Sequence, residues 1–229
     1  MVPRDPRMIL IDVDGTLVDS VPDLAFCVDE TMKRIGRAPW GEAKVRDWVG
    51  NGVERLVKRA LVGRVGGEPD EAIFLQALPF FMETYALNVS QRSRLYPGVM
   101  DGLNAMQRLG YVLGCVTNKA ARFTEPLLRD LGILAYFKIV VSGDTTPKKK
   151  PDPLPLFYAA EKLGMTPVEC LMVGDSVNDV SAARQAGFQV VCVPYGYNHG
   201  NDIRDAEPDA VIADLSELPA LLSTVRARR

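Results

Sequence analysis

The sequence predicts an α/β fold: a Rossmann-like parallel sheet wrapped by helices, with a block of helices inserted near its start. Three observations predict it. Short apolar runs alternate with stretches of helical periodicity from about residue 99 to residue 213, the pattern of a parallel sheet built from strand–helix units. Glycines close those helical stretches at Gly110, Gly132, Gly164 and Gly187, where a helix commonly ends in a left-handed residue. Residues 21–96 break the alternation and contain no convincing strand.

The first element is the most informative. The apolar run Met8–Ile11 ends abruptly in Asp12-Val13-Asp14-Gly15-Thr16. Such a run ahead of turn residues reads as a buried strand, and side chains two apart point to one face of it. Asp12 and Asp14 are therefore delivered together at the strand's carboxyl end. Two carboxylates that close repel, and one takes up a proton unless a cation removes the conflict. Mg²⁺ suits oxygen ligands from one or two carboxylates plus a substrate phosphate. A solvated acidic turn is the plain alternative for Asp-x-Asp-Gly alone. A calcium-binding EF-hand is set aside, because the twelfth loop position is Asp23 rather than Glu and a strand precedes the motif.

The inserted block reads as helices at about 21–35, 42–49, 52–62 and 70–87, with joints at Gly36–Pro39, Gly50–Gly52 and Gly63–Pro69. We expect residues 20–96 to form a helical cap subdomain on a core made of 1–19 and 97–229, with hinges near Asp19–Ser20 and Tyr96-Pro97-Gly98. Ligands of open α/β sheets bind at the carboxyl ends of the strands, so an insert there is placed to act as a lid.

In the core, Tyr111–Thr117, Lys138–Ser142, Glu169–Gly174, Phe188–Pro194 and, more weakly, Ala210–Ala213 are candidate strands. Val99–Leu109, Arg122–Leu131, Pro153–Leu163 and Val177–Ala186 are candidate helices between them. Several strand ends carry polar chemistry. Thr117-Asn118-Lys119 places a hydroxyl and an amide ahead of a helix, a ready anion cradle, although Thr and Asn also serve as ordinary caps. In Lys148-Lys149-Lys150-Pro151-Asp152-Pro153 the prolines restrict the loop and can aim Lys150 inward as a point charge for phosphate or carboxylate. The run Leu171-Met172-Val173-Gly174 ends in Asp175, with Asp179 four residues on; the plain reading of Asp179 is a first-turn acid favoured by the helix dipole. Chance would scatter these residues over both edges of the sheet, and their joint placement at strand ends is the signal.

Composition narrows the partners. Of 229 residues, 47% are apolar and 24% charged, with net charge −2, which is ordinary for a globular chain and gives no nucleic-acid footprint. No stretch approaches the roughly 20 apolar residues of a membrane helix, and Met1–Arg7 lacks the apolar core of a signal peptide, so we expect a cytoplasmic protein. The basic end Arg226–Arg229 reads as a frayed terminus. Cys27, Cys115, Cys170 and Cys192 lack Cys-x-x-Cys spacing and read as small buried hydrophobes. The single histidine, His199, sits in a Gly-Tyr-Asn-His-Gly loop and receives no catalytic role.

Taken together, Asp12-Val-Asp14-Gly-Thr16-Leu-Val, Thr117-Asn118, Lys150-Pro151 and Gly174-Asp175-x-x-x-Asp179 resemble the four motifs of the haloacid dehalogenase superfamily of phosphohydrolases, in order and spacing over nearly the whole chain. The helical insert resembles that superfamily's C1-type cap. Asp14–Leu24, Trp48-Val-Gly-Asn-Gly52, Leu95-Tyr-Pro-Gly98 and Tyr195-Gly-Tyr-Asn198 are similar, more narrowly, to the bacterial phosphoglycolate phosphatases. Val13 and Asp152 depart from the residues more common at those positions, and neither carries a catalytic role.

The resemblance implies a Mg²⁺-dependent phosphatase for a small phosphorylated substrate, 2-phosphoglycolate. Asp12 becomes the nucleophile, and Asp14 the general acid and base, its backbone carbonyl a metal ligand. Asp12 and Asp175 supply metal carboxylates, while Asp179 coordinates through water or orients Lys150. Thr117 and the Asn118 backbone hold phosphoryl oxygens, and Lys150 stabilises them. Thr16, grouped with the phosphate-binding residues, braces the motif loop through its hydroxyl on neighbouring backbone. In the cap, Gly50-Asn51-Gly52 can approach the site closely, and Arg55 or Lys58 can meet a substrate carboxylate, Arg being the better bidentate partner; for each cation a solvated helix face is the competing reading. A phosphatase for another small phosphorylated acid or sugar and a β-phosphoglucomutase-like phosphosugar mutase share these motifs. A dehalogenase has no use for Asp14 or a metal, and a pure binding domain has no use for a complete catalytic set. A monomer and a homodimer are both compatible with the sequence.

Overall fold

The computed structural model describes residues 6–226; the expectations for the extreme N-terminus and for the last three residues of the basic tail lie outside them. Along the chain come β1 (Met8–Ile11), β2 (Val18–Asp19), α1 (Val21–Arg34), α2 (Glu42–Arg46), α3 (Val53–Val62), α4 (Glu71–Leu87), β3 (Arg94–Leu95) and α5 (Val99–Arg108). Then follow β4 (Val112–Val116), α6 (Ala121–Asp130), β5 (Ile139–Val141), α7 (Leu154–Lys162), β6 (Cys170–Gly174), α8 (Val177–Ala186), β7 (Gln189–Cys192), β8 (Ala210–Val211) and α9 (Leu218–Arg226).

Six strands form one parallel sheet in the order β5-β4-β1-β6-β7-β8. All four residues of β1 are fully buried. Ile9 and Ile11 join the apolar cluster on one face, and Met8 and Leu10 join the cluster on the other. A strand covered on both faces reads as an unbroken apolar run rather than an alternation, which is why Met8–Ile11 was so legible. Strand β1 lies between β4 and β6, with Ile11 level with Cys115 on one side and Val173 on the other. Order therefore reverses at β1, and such a switch point opens a crevice beyond the carboxyl ends of the strands. Asp12 leaves at that point, and Thr117 and Asp175 are the first residues past the neighbouring strands β4 and β6.

Helices α1–α4 lie between β2 and β3 and pack mainly against one another. Residues 21–96 were expected to hold no strand, and this is corrected: Arg94–Leu95 pairs antiparallel with Val18–Asp19. Two residues are too short to carry a period of two, so only the pairing reveals them. The helix expected over 42–49 stops at Arg46, and α9 had not been anticipated. Asp23, in the first turn of α1, is fully buried and accepts from the Arg92 and Ser93 amides at 2.8–3.0 Å and from the Ser93 hydroxyl at 2.7 Å. This carboxylate ties the start of the helical block to its end. The four glycines expected to close helices all take left-handed φ. All four cysteines are buried and free, and no helix among the described residues is long and apolar enough to cross a membrane.

Gly102 opposes propensity and packing cleanly. Alanine favours a helix interior by about 1 kcal/mol over glycine. However, a methyl group at Gly102 in α5 would stand 2.5 Å from the Leu215 carbonyl oxygen, a backbone atom that cannot swing aside. Overpacking of this kind costs about 1–3 kcal/mol, so sterics win. Gly102→Ala should lower the urea midpoint with an unchanged m-value; a raised midpoint would mean that the two segments are not in contact.

Candidate active site

Asp12 is the first residue past β1, its amide bonded to the Val173 carbonyl at 3.0 Å. One of its side-chain oxygens accepts from the Val13 amide at 2.7 Å and faces the Lys150 ammonium at 3.0 Å. Lys150 is buried and also donates to Asp179 at 2.7 Å and to the Val116 carbonyl at 2.7 Å. The Lys-Pro loop thus aims this lysine inward, as the prolines suggested. Burial opposes the charge on Lys150, but Asp12 and Asp179 together outweigh it and hold its pKa above the usual lysine value.

Asp12, Asp175 and Asp179 each offer a carboxylate oxygen, and the three lie within 4.8 Å of one another. Asp175 accepts from the Thr16 hydroxyl at 2.7 Å and from the Tyr197 amide at 2.6 Å. Asp179 accepts from the Ser176 hydroxyl at 2.7 Å and amide at 3.1 Å, completing a capping box at the start of α8. One oxygen of Asp179 caps the helix and the other meets Lys150. Burial raises the Asp12 pKa to about 7, with repulsion from Asp179 and Asp14 added and Lys150 opposing. Burial and repulsion from Asp179 and Asp12 likewise raise Asp175 well above the usual carboxylate range. Three crowded oxygen donors, with one ammonium on two of them, suit a hard divalent cation. Gly15, at φ +89°, lets the motif loop pass over this group; a side chain there would strike the Asp175 carboxylate.

Asp14 has partners of its own. Lys119 donates to its two oxygens at 2.9 and 3.1 Å, and the Ser20 hydroxyl donates to one of them at 2.6 Å. Ser20 precedes α1 and makes no side-chain cap, its hydroxyl being turned to Asp14 instead. Asp12 and Asp14 line one cleft together with Thr117, Asn118 and Lys119 from the sheet and Leu24, Val49, Gly50, Gly52, Val53 and Leu56 from the helical block. The cleft encloses about 430 Å³ between atoms, its mouth included. The Asn118 amide group donates to the Gly50 carbonyl at 3.1 Å and to the Lys150 carbonyl at 2.9 Å.

Three expectations need correction. The Thr16 hydroxyl was expected on nearby backbone; it donates to the Asp175 carboxylate, and Thr16 is fully buried beneath the loop, where it braces a carboxylate rather than meeting a ligand. Arg55 and Lys58 were expected to meet a substrate carboxylate. Neither lines the cleft, because Glu68 takes both, at 2.5 and 2.7 Å, on the outer side of α3. Asn51 turns its side-chain oxygen to Arg59 at 2.8 Å, so that of the Gly50-Asn51-Gly52 turn only the glycines line the cleft.

Sequence reasoning missed Lys119, Ser20 and Tyr197. Lys119 adjoins the Thr-Asn pair but was given no role. Tyr197 lay in a quoted motif without a function: its amide holds Asp175, while its hydroxyl accepts from the Ser20 and Val21 amides at 3.0 and 3.3 Å and donates to Asp19. His199 is less detached than a surface loop residue, since its Nδ1 lies 2.8 Å from the Asp47 carbonyl of the helical block.

A family model for the haloacid dehalogenase-like hydrolases matches residues 6–187. A phosphoglycolate phosphatase from Nitrosococcus oceani is 60% identical over 96% of this chain and 98% of its own length. One from Nitrosospira multiformis is 46% identical over 96% and 97%. The crystal structure of a predicted phosphoglycolate phosphatase from Haemophilus somnus 129pt superposes with a TM-score of 0.89 at 36% identity, covering 95% of this chain and 98% of that one.

The raised acids make stability depend on pH. Unfolded, the Asp12 carboxyl titrates near 3.8; folded, near 7. The folded state then binds the proton more tightly, so its contribution is fully present below about 4 and is lost as pH rises to about 7. In EDTA the urea midpoint should fall between pH 5 and pH 8, less so in Asp12→Asn, and a divalent cation should raise it at pH 8. A midpoint flat with pH and indifferent to the cation would refute this electrostatic account.

Proposed function

The chain belongs to the haloacid dehalogenase-like hydrolases, and on that premise we propose that it hydrolyses 2-phosphoglycolate to glycolate and phosphate through an aspartyl-phosphate on Asp12. The observation that carries the reading is the shared cleft. Asp12 and Asp14 face one space with Thr117 and Asn118, beneath the apolar residues Leu24, Val49, Val53 and Leu56. The two relatives described above bear the name phosphoglycolate phosphatase over nearly their whole length.

A phosphate monoester repels an anionic nucleophile, so catalysis rests on positioning and charge neutralisation. An Asp12 oxygen attacks phosphorus as the bond to the ester oxygen breaks, and Asp14 gives that leaving oxygen its proton. Asp14, now a carboxylate, takes a proton from the water that attacks the aspartyl-phosphate, and phosphate leaves. The Thr117 hydroxyl and Asn118 backbone amide hold phosphoryl oxygens, and Lys150 offsets charge on Asp12 and the transferring group. Mg²⁺ is the proposed cation, held by the Asp12 and Asp175 carboxylates and the Asp14 carbonyl, with Asp179 acting through water or through Lys150. When bound it neutralises the acids and the phosphoryl oxygens they face. We take residues 20–96 as a cap whose apolar side excludes water from the reaction, moving about Asp19–Ser20 and Tyr96–Gly98.

Phosphate release from a panel of small esters, with and without Mg²⁺, tests the reading. The wild type should favour 2-phosphoglycolate and stop in EDTA. Asp12→Asn should abolish turnover, and Asp14→Asn should cut kcat by about 10²–10⁴-fold. Full-rate hydrolysis by Asp12→Asn would end the proposed mechanism, and isomerised sugar phosphate without released phosphate would mark a mutase.

A further inference from the structure

The cleft holds a positive charge beside the leaving-group side of the reaction that the mechanism above does not use. Among the described residues lining the cleft, Lys119 is the one that carries a cation. The other cations nearby are committed or peripheral. Lys150 is held by Asp12 and Asp179. Arg55 and Lys58 are held by Glu68. Arg59 donates to the Trp48 carbonyl at 2.6 Å and to Asn51. Lys149 belongs to an exposed residue near Gly52, its ammonium 3.3 Å from where a side chain on that glycine would begin.

Lys119 is buried and fixed. Its ammonium lies 2.9 and 3.1 Å from the Asp14 oxygens and 5.0 Å from the centre of the Tyr85 ring. An ammonium carries three N–H donors; the Asp14 contacts use at most two, and the third shares its space with the buried Tyr85 hydroxyl, which also favours the charged lysine. Distance then sets what the remaining one can meet. Asp14 touches the ester oxygen as it leaves. In 2-phosphoglycolate a single methylene separates that oxygen from the carboxylate. A cation in direct contact with the general acid is therefore within reach of a carboxylate one carbon beyond the ester oxygen, whereas Arg55 and Lys58 on the outer side of α3 are not. The apolar side chains of Leu24, Val49, Val53 and Leu56 supply no hydrogen bonds, and Gly50 and Gly52 add only backbone groups, so Lys119 is, among the described residues, the one cationic side chain that the cleft presents.

We infer that Lys119 is the specificity-determining residue that reads the substrate's carboxylate, so that the site selects phosphate monoesters bearing an anion one carbon from the ester oxygen. The inference rests on the proposed function, and the test separates the two. Two substrates are compared: 2-phosphoglycolate and 2-hydroxyethyl phosphate, which replaces the carboxylate by a neutral hydroxymethyl group. A hydrogen bond to a charged group corresponds to about 10- to 100-fold in an equilibrium or rate ratio. The wild type should prefer 2-phosphoglycolate in kcat/KM by that factor. Lys119→Met should bring the two substrates within about threefold of each other, mainly by raising KM for 2-phosphoglycolate, and Lys119→Arg should restore most of the preference.

Because Lys119 also pairs with Asp14, its loss can slow both reactions. Calorimetric binding of 3-phosphonopropionate against propylphosphonate, which needs no turnover, decides in that case: the wild type should bind the carboxylate analogue at least about tenfold more tightly, and Lys119→Met should not. Lys119→Gln serves if the methionine variant does not fold. A preference that survives in the Met and Gln variants, or one that disappears in Lys149→Met instead, overturns the inference and leaves the function standing. A wild type that releases no phosphate from 2-phosphoglycolate overturns both.

Discussion

Three carboxylates converge on a single ammonium at the carboxyl end of the sheet, and the rest of the site is arranged around that imbalance. Asp12, Asp175 and Asp179 bring oxygens within 4.8 Å of one another, yet Lys150 reaches only Asp12 and Asp179. Burial removes the water that would otherwise screen them, so repulsion and desolvation both push toward protonation. The backbone makes the crowding possible, because β1 lies between β4 and β6 and delivers Asp12 into the gap where strand order reverses. Neutral donors then hold each acid in place: Thr16 and the Tyr197 amide on Asp175, Ser176 on Asp179, the Val13 amide on Asp12.

The loop after β7 carries this local order toward the helical block. Tyr197 holds Asp175 by its amide and the entry to α1 by its hydroxyl, while Tyr195 donates to the Thr16 carbonyl at 2.9 Å and packs against Tyr96, ring centres 4.2 Å apart. Tyr96 and Ser20 mark the two places where the chain passes between sheet and helices. Asp175 and both crossings thus share one loop. On the opposite side of the cleft the contact is lighter, since the Gly50 carbonyl accepts from Asn118 at 3.1 Å and from Asn178 at 3.5 Å. The tyrosine side thus combines ring packing with several hydrogen bonds, and the Gly50 side has a few hydrogen bonds to backbone.

Much of this was legible in the chain, and the failures have a common physical cause. Helix α8 was expected at Val177–Ala186 and is found there, because the Ser176 and Asp179 capping box and Gly187 mark both ends locally. The acids at strand ends were legible for the same reason: each follows directly from its own apolar run. What failed depended on partners distant in sequence. Residue type alone made Arg55 a fitting carboxylate reader, but Glu68 across the α3–α4 joint claims it. The Thr16 hydroxyl meets Asp175, which lies 159 residues away. Strand β3 exists only by its pairing with β2, and Tyr197 acts on residues near the other end of the chain. Periodicity and caps are local quantities, while the pairing of side chains across a sheet switch point is not.

Lys119 changes how the site's charge must be counted. Four acids, Asp12, Asp14, Asp175 and Asp179, stand at the carboxyl end of the sheet with two buried ammonium groups, Lys119 on Asp14 and Lys150 on Asp12 and Asp179. With all four acids ionised, two negative charges remain, the charge that one divalent cation carries. The deficit is also localised. Asp175 is the one of the four that makes no ion pair among the described residues, held instead by a hydroxyl and an amide. Those donors orient the carboxylate without neutralising it. A divalent ion would balance the acids, and Asp175 is the carboxylate left oriented, buried and without an ion pair among the described residues to meet it.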